Sequence, residues 1–232
     1  MTAPAALNAL SLSIEIDAGS HVSALRLAPA DASAGFVFAH GAGAGMAHPF
    51  MERFATGLAE RGIATLRYQF AYMERGSKRP DPPALAHAAV RAAVAEAARQ
   101  WPGLPLVAGG KSFGARMTSQ AQAQAPLPGV AGLVFVGFPL HPAGKPAVQR
   151  AEHLERVRCP MLFLQGTRDE LAELELLRGV HELLGERSTL ELYEDADHSF
   201  HVRASSGHTD TQVLTRMLDA TAGWVARCVR HA

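Results

Sequence analysis

Ser112 stands at the centre of Gly110-Lys111-Ser112-Phe113-Gly114, between a β-forming run and a helical run. A serine hydroxyl is a weak nucleophile near neutral pH, so acyl transfer needs a base, a group to orient that base, and donors for the oxyanion. All of these have candidates here. The flanking glycines suit a tight strand-to-helix turn, where side chains would collide with neighbouring elements. Among eleven histidines, His198 is the candidate base, because it follows the last strand in Asp195-Ala196-Asp197-His198-Ser199-Phe200. Asp169 follows the penultimate strand in Gln165-Gly166-Thr167-Arg168-Asp169-Glu170 and is the candidate orienting acid. Glu170 is its fallback, His201 is the nearest rival to His198, and Asp195 and Asp197 are expected to cap their own loop.

The oxyanion donors are expected from two places. Phe113 contributes its N–H at the start of the helix behind Ser112. The second donor comes from His40-Gly41-Ala42-Gly43-Ala44-Gly45, where a glycine-rich backbone can turn N–H groups towards an anion. Ala42 is the first choice and Gly43 the second, with His40 assigned to pinning the loop. A phosphate loop is disfavoured, since no Lys followed by Ser or Thr stands at the required spacing and the next strand ends without a ribose-binding acid. A zinc site from His198, His201 and His208 fits no standard ligand spacing. No metal and no cofactor are expected.

The elements that must position these groups follow from hydrophobic patterning. Ser13 to Asp17 and Val22 to Leu27 read as an antiparallel hairpin around Ala18-Gly19-Ser20. Thereafter short β-like runs alternate with helices: strands at Phe36 to His40, Ile63 to Tyr68, Leu104 to Ala108, Val130 to Phe138, Pro160 to Leu164 and Thr189 to Tyr193. Helices are expected from Pro49, over Pro83 to Gln100, Phe113 to Gln124 and Leu171 to Leu184, and from Asp210 to Arg230. The fold class is α/β, a mostly parallel central sheet with an antiparallel N-terminal hairpin and helices on both faces.

With 232 residues and 48% hydrophobic composition, one domain spanning 1–232 is expected. Twenty-two basic residues balance twenty-two acidic ones, which disfavours nucleic acid or an anionic membrane as partner. Cys159 and Cys228 imply no disulfide framework. Met1 to Leu12 lacks the basic and apolar regions of a secretory signal, and a cytoplasmic location is the expectation.

Taken together, His40-Gly41-x-Gly43, the Ser112 turn, Gly166-x-x-Asp169 and Asp197-His198-x-Phe200 resemble α/β-hydrolases of the dienelactone-hydrolase-like kind. More narrowly, Gly110 to Arg116, Tyr72-Met73-Glu74 and Phe138-Pro139-Leu140-His141-Pro142-x-Gly144-Lys145-Pro146 are similar to a small cap-less hydrolase family that also includes a subunit of the NSL histone acetyltransferase complex. The resemblance covers nearly the whole chain and implies a Ser-His-Asp triad on Ser112, His198 and Asp169. Dienelactone enzymes use a cysteine nucleophile where this chain has Ser112, so their substrate is not carried over.

Lidded hydrolases insert a helical cap between the strands ending near Phe138 and starting near Pro160, and here the gap is short. An open site is therefore expected, with Phe70, Tyr72, Phe138, Leu140 and His141 forming an apolar substrate-binding rim. Lys145 and Arg116 are assigned to solvated surface charge. The expected partner is a small ester or thioester, and the competing expectation is a non-catalytic interaction module on the same fold.

Overall fold

The computed structural model describes residues 8–231, so the first part of the Met1 to Leu12 segment lies outside the described residues. Eight strands form one sheet in the order β1-β2-β4-β3-β5-β6-β7-β8. The first two, β1 (Leu10–Asp17) and β2 (Ser20–Leu27), form the antiparallel hairpin, turned at Gly19 with φ 88°. β2 also runs antiparallel to β4 (Ile63–Tyr68), and every later pairing is parallel. The remaining strands are β3 (Ala34–Ala39), β5 (Leu106–Lys111), β6 (Val130–Val136), β7 (Met161–Gly166) and β8 (Ser188–Tyr193).

Helices cover both faces, which is why β3, β4 and β7 are buried along their whole length. Phe36 and Phe38 of β3 pack with Phe54 and Leu58 of α1 (Pro49–Ala59) and with Met217 and Trp224 of α6 (Asp210–Cys228). Val37 and Ala39 point the other way. They join the core beneath α3 (Pro83–Gln100), α4 (Phe113–Gln124) and α5 (Leu174–Leu184). Local chemistry sets the helix starts: Pro49 occupies the first turn of α1, and α6 opens with a capping box between Thr209 and Gln212.

Several boundaries depart from those expected. β5 begins later than Leu104 and continues past Ala108 through Gly109 and Gly110, glycines that are weak strand formers but are required here. A Cβ on Gly109 would collide with the Val134 carbonyl, and one on Gly110 would lie 2.5 Å from the Ala39 oxygen. β6 stops at Val136 because Gly137 takes φ 67°, and α5 starts at Leu174 instead of Leu171. The segment after β4 holds a short helix, α2 (Ala71–Glu74). Between β6 and β7 the chain forms loops and one 3-10 turn (Glu152–Arg156), with no separate cap domain among the described residues.

Candidate active site

Ser112 joins β5 to α4 with φ 51° and ψ −112°, a conformation that L-residues rarely adopt and that costs of order 1–3 kcal/mol. The surroundings hold it there. Its N–H donates to the Val136 carbonyl at 3.0 Å, and its carbonyl accepts from the Arg116 N–H at 3.1 Å. Gly114 makes the turn possible, since a Cβ there would lie 2.6 Å from the Ala39 oxygen. Although Ser112 occupies the N-cap position of α4, its hydroxyl makes no cap bond; it lies 2.9 Å from His198 Nε2.

His198 Nδ1 lies 2.7 Å from Asp169 Oδ2. Because a carboxylate only accepts, Nδ1 carries the ring proton and donates, leaving Nε2 free to accept from the Ser112 hydroxyl. The Asp169 side chain is fully buried. Its Oδ1 accepts from the Leu171 N–H at 2.8 Å, and its Oδ2 also accepts from Gln165 Nε2 at 2.5 Å. Gln165 Oε1 in turn accepts from the Phe138 N–H at 2.9 Å, so this buried amide ties the acid to the end of β6. Glu170, the fallback acid, is exposed.

The loop carrying His198 leaves β8 at the sheet edge and must pass β7 and β6 to reach β5. Asp195 and Phe200 bracket His198 at φ 57° and 64°; with Ser112 they are the described non-glycine residues of positive φ. Asp197 Oδ1 caps the turn by accepting from the N–H groups of Ser199 at 2.8 Å and His201 at 3.0 Å. Arg168 donates to the Asp195 carbonyl at 2.9 Å. Gly166 and Gly137 leave room: a Cβ on the first would collide with the Ala196 carbonyl, and one on the second would lie 3.4 Å from the His198 ring. His201 turns away and pairs with Asp210 at 3.0 Å, so it and His198 serve different partners.

Opposite this loop, residues 41–45 lie over Ser112, with the Cβ position of Gly41 3.7 Å from Ser112 Cβ. Buried His40 fixes the start of the loop: its Nε2 accepts from the Phe70 N–H at 3.0 Å, so Nδ1 bears the proton and donates to the Gly41 carbonyl at 2.7 Å. Burial lowers its pKa from 6.5 to about 4, which keeps the ring neutral. Gly43 donates its N–H to the Tyr72 hydroxyl at 3.1 Å, and Met46 donates to Gln69 Oε1 at 2.9 Å. Neither the Ala42 N–H nor the Phe113 N–H has a protein acceptor among the described residues.

The five residues expected at an apolar rim lie beneath the surface instead. Phe70, Tyr72, Phe138 and Leu140 are 0% exposed and His141 is 3% exposed. Phe70 packs edge-on to the rings of His40 and Phe113, and Phe138 lies among Phe135 and Phe163. α2 directs Tyr72 inward, its N–H held by buried Asp81 at 2.9 Å. His141 bridges loops, with Nε2 accepting from the Glu173 N–H at 3.0 Å and Nδ1 donating to the Pro142 carbonyl at 2.9 Å. These side chains form the floor and walls that set the loops. Lys145 is exposed, and Arg116 is half-buried with the charge of Arg150 facing it.

Gln165, Lys111 and Asp81 escaped the sequence reading. A signal existed for Gln165, a lone amide in the otherwise apolar run Met161–Gly166, four residues before Asp169.

A mostly parallel sheet, a strained serine at its centre and a histidine returning from the far edge define the α/β-hydrolase class. The chain belongs to the alpha/beta hydrolase domain family, whose model matches residues 32–226. Solved structures share the fold at low identity. The dienelactone hydrolase from Anabaena variabilis superposes with a TM-score of 0.75 at 19% identity, covering 95% of this chain and 98% of its own. A lidless α/β serine hydrolase from Xanthomonas campestris gives 0.68 at 21%, covering 97% and 94%. A cold-adapted esterase from an Arctic intertidal metagenomic library gives 0.69 at 17%, covering 96% of each chain. No helix among the described residues is long and apolar enough to cross a membrane.

Proposed function

We propose that the chain is a serine hydrolase that cleaves a small ester or thioester through an acyl-enzyme on Ser112. The observation carrying this reading is the continuous hydrogen-bond chain from Ser112 Oγ through His198 to buried Asp169, at 2.9 and 2.7 Å. In the first half-reaction Ser112 Oγ attacks the acyl carbon while His198 Nε2 takes its proton. The tetrahedral oxyanion accepts hydrogen bonds from the Phe113 and Ala42 N–H groups, each supplying about 3 kcal/mol of transition-state stabilisation. Collapse expels the alcohol or thiol, protonated by His198. Water then attacks the acyl-enzyme, gives its proton to His198, and the free acid leaves as Ser112 recovers its hydrogen.

Ala42 is preferred to Gly43 as second donor because the Gly43 N–H is already engaged by Tyr72. The whole chain 1–232 is taken as one hydrolase unit acting on a soluble small molecule in the cytoplasm. A panel of p-nitrophenyl esters and acyl thioesters tests the reading. Turnover by the wild type that falls by roughly 10⁵–10⁶-fold in Ser112→Ala supports it. Ser112-independent or absent turnover across the panel transfers support to an interaction module.

A further inference from the structure

Lys111 immediately precedes the nucleophile, yet its ammonium is directed at the other side of the site. Nζ donates to the His198 carbonyl at 2.7 Å, across 87 residues of sequence. The same ammonium lies 5.2 Å from the centroids of both Phe50, on α1, and Phe200, on the histidine loop. The two rings are neighbours, with centroids 6.2 Å apart, and a cation lying over both is attracted by both ring quadrupoles, more strongly where water is excluded. From these contacts we infer that Lys111 is a positioning residue that clips the backbone of His198 to the strand end bearing Ser112, so that base and nucleophile share one anchor.

The geometry explains why a second link is useful, on the proposed acyl-enzyme reading. Adjacent strands are about 4.8 Å apart, so a loop from β8 must reach across roughly 14 Å to meet β5. Arg168 and Asp197 secure the beginning and turn of that loop, but among the described residues only the Ser112 hydroxyl and Lys111 tie His198 to the end of β5. Once Ser112 Oγ is acylated it has no hydrogen to donate to Nε2. His198 then depends on Asp169 for ring orientation and on Lys111 for its position above β5, while it activates water. The clip belongs most to deacylation.

The clip can titrate. Burial lowers the Lys111 pKa from 10.5 to about 8, opposed by the carboxylates of Asp169 and Asp197, the charged groups that face it; α1 presents the Phe50 ring and the histidine loop the Phe200 ring. Above about pH 8 the folded chain loses this proton while the unfolded chain keeps it up to about 10.5. Folding stability therefore gains from this group across that window as the cation–π contacts are lost. Loss of activity without loss of stability is the signature.

Stopped-flow and steady-state hydrolysis of p-nitrophenyl acetate between pH 6.5 and 9.5 test the clip in wild type, Lys111→Met and Lys111→Arg. The expected wild-type profile has an alkaline limb near pH 8 with an undiminished melting temperature. Lys111→Met should keep its acylation burst but deacylate about tenfold more slowly, and Lys111→Arg, whose charge does not titrate in this range, should deacylate within threefold of wild type without the limb. A wild-type profile flat to pH 9.5, or Lys111→Met with wild-type deacylation, overturns the clip.

The His198 Nδ1–H proton resonance gives a readout independent of turnover: it should broaden in Lys111→Met and persist in Lys111→Arg. An unchanged resonance in Lys111→Met also overturns the clip, whereas absent wild-type turnover with the broadening intact would count against the hydrolase reading alone. Should Lys111→Met fail to fold, the wild-type limb and the Lys111→Arg profile decide.

Discussion

Residues 41–45 are fastened by neutral groups, the buried His40 ring between Phe70 and Gly41 and the Tyr72 hydroxyl under Gly43; just beyond them the Met46 N–H donates to the Gln69 amide and the Met46 carbonyl accepts from the Arg67 guanidinium. The 195–201 loop, by contrast, is fastened chiefly through charge, with Lys111 on the His198 carbonyl, Arg168 on the Asp195 carbonyl and the Asp197 carboxylate at its turn, beside one neutral bond from the Asp195 N–H to the Thr167 hydroxyl. Oxyanion donors must hold one position as charge develops, and neutral bonds serve this over a wide pH range. Tyr72 conforms, since burial raises its pKa above 10. On the proposed acyl-enzyme reading, the 41–45 loop presents fixed dipoles and the 195–201 loop a proton carrier whose fastening through Lys111 responds to pH.

The largest break in the comparison should come from Asp169→Asn. An amide at this position can offer its N–H to Nδ1, favouring the wrong ring tautomer while the shape is kept, and kcat should fall by about 10⁴-fold. Steady-state ester hydrolysis reads this directly; a loss below tenfold would remove Asp169 from its orienting role. Tyr72→Phe strikes the opposite loop. With no acceptor left for the Gly43 N–H, kcat should fall by about tenfold at little-changed KM, while the alkaline limb assigned to Lys111 stays in place. An unchanged or higher kcat would shift the second donor from Ala42 to Gly43, which the substitution frees.

The smallest of these effects concerns stability in acid. His40 and His153 are both held neutral by burial, with pKa values lowered from 6.5 to about 4. Below about pH 6.5 the unfolded chain takes up protons that the folded rings refuse, so stability should decline as pH falls towards 4. Urea midpoints across that range should drop, and His40→Asn should flatten the slope. An equally steep slope in His40→Asn would mean that protonation of His40 does not drive the loss.

Why some of this was legible in the sequence and some was not follows from where the partners lie. Ser112, Asp169 and His198 each follow a strand, and chain order with flanking glycines was enough to nominate them together. The hairpin, the parallel sheet and the helix start at Pro49 likewise follow from local pattern. The rim residues lie deeper than sequence suggests because aromatic type and proximity to the site say nothing about side-chain direction: α2 turns Tyr72 inward, and Phe138 sinks among Phe135 and Phe163. β5 runs past the end that its sequence suggests because Gly109 and Gly110 weaken a strand signal, although close packing against Val134 and Ala39 demands them. The contact Lys111 makes has no local sequence signal, because its partner lies 87 residues away.

The central claim, that Ser112 is an activated nucleophile, is tested most directly by mass spectrometry of the protein after exposure to a fluorophosphonate at neutral pH. One adduct per chain, mapped to the peptide containing Ser112 and absent both from Ser112→Ala and from urea-unfolded wild type, is the predicted result. No adduct on the folded wild type, or an adduct that survives Ser112→Ala, would contradict it.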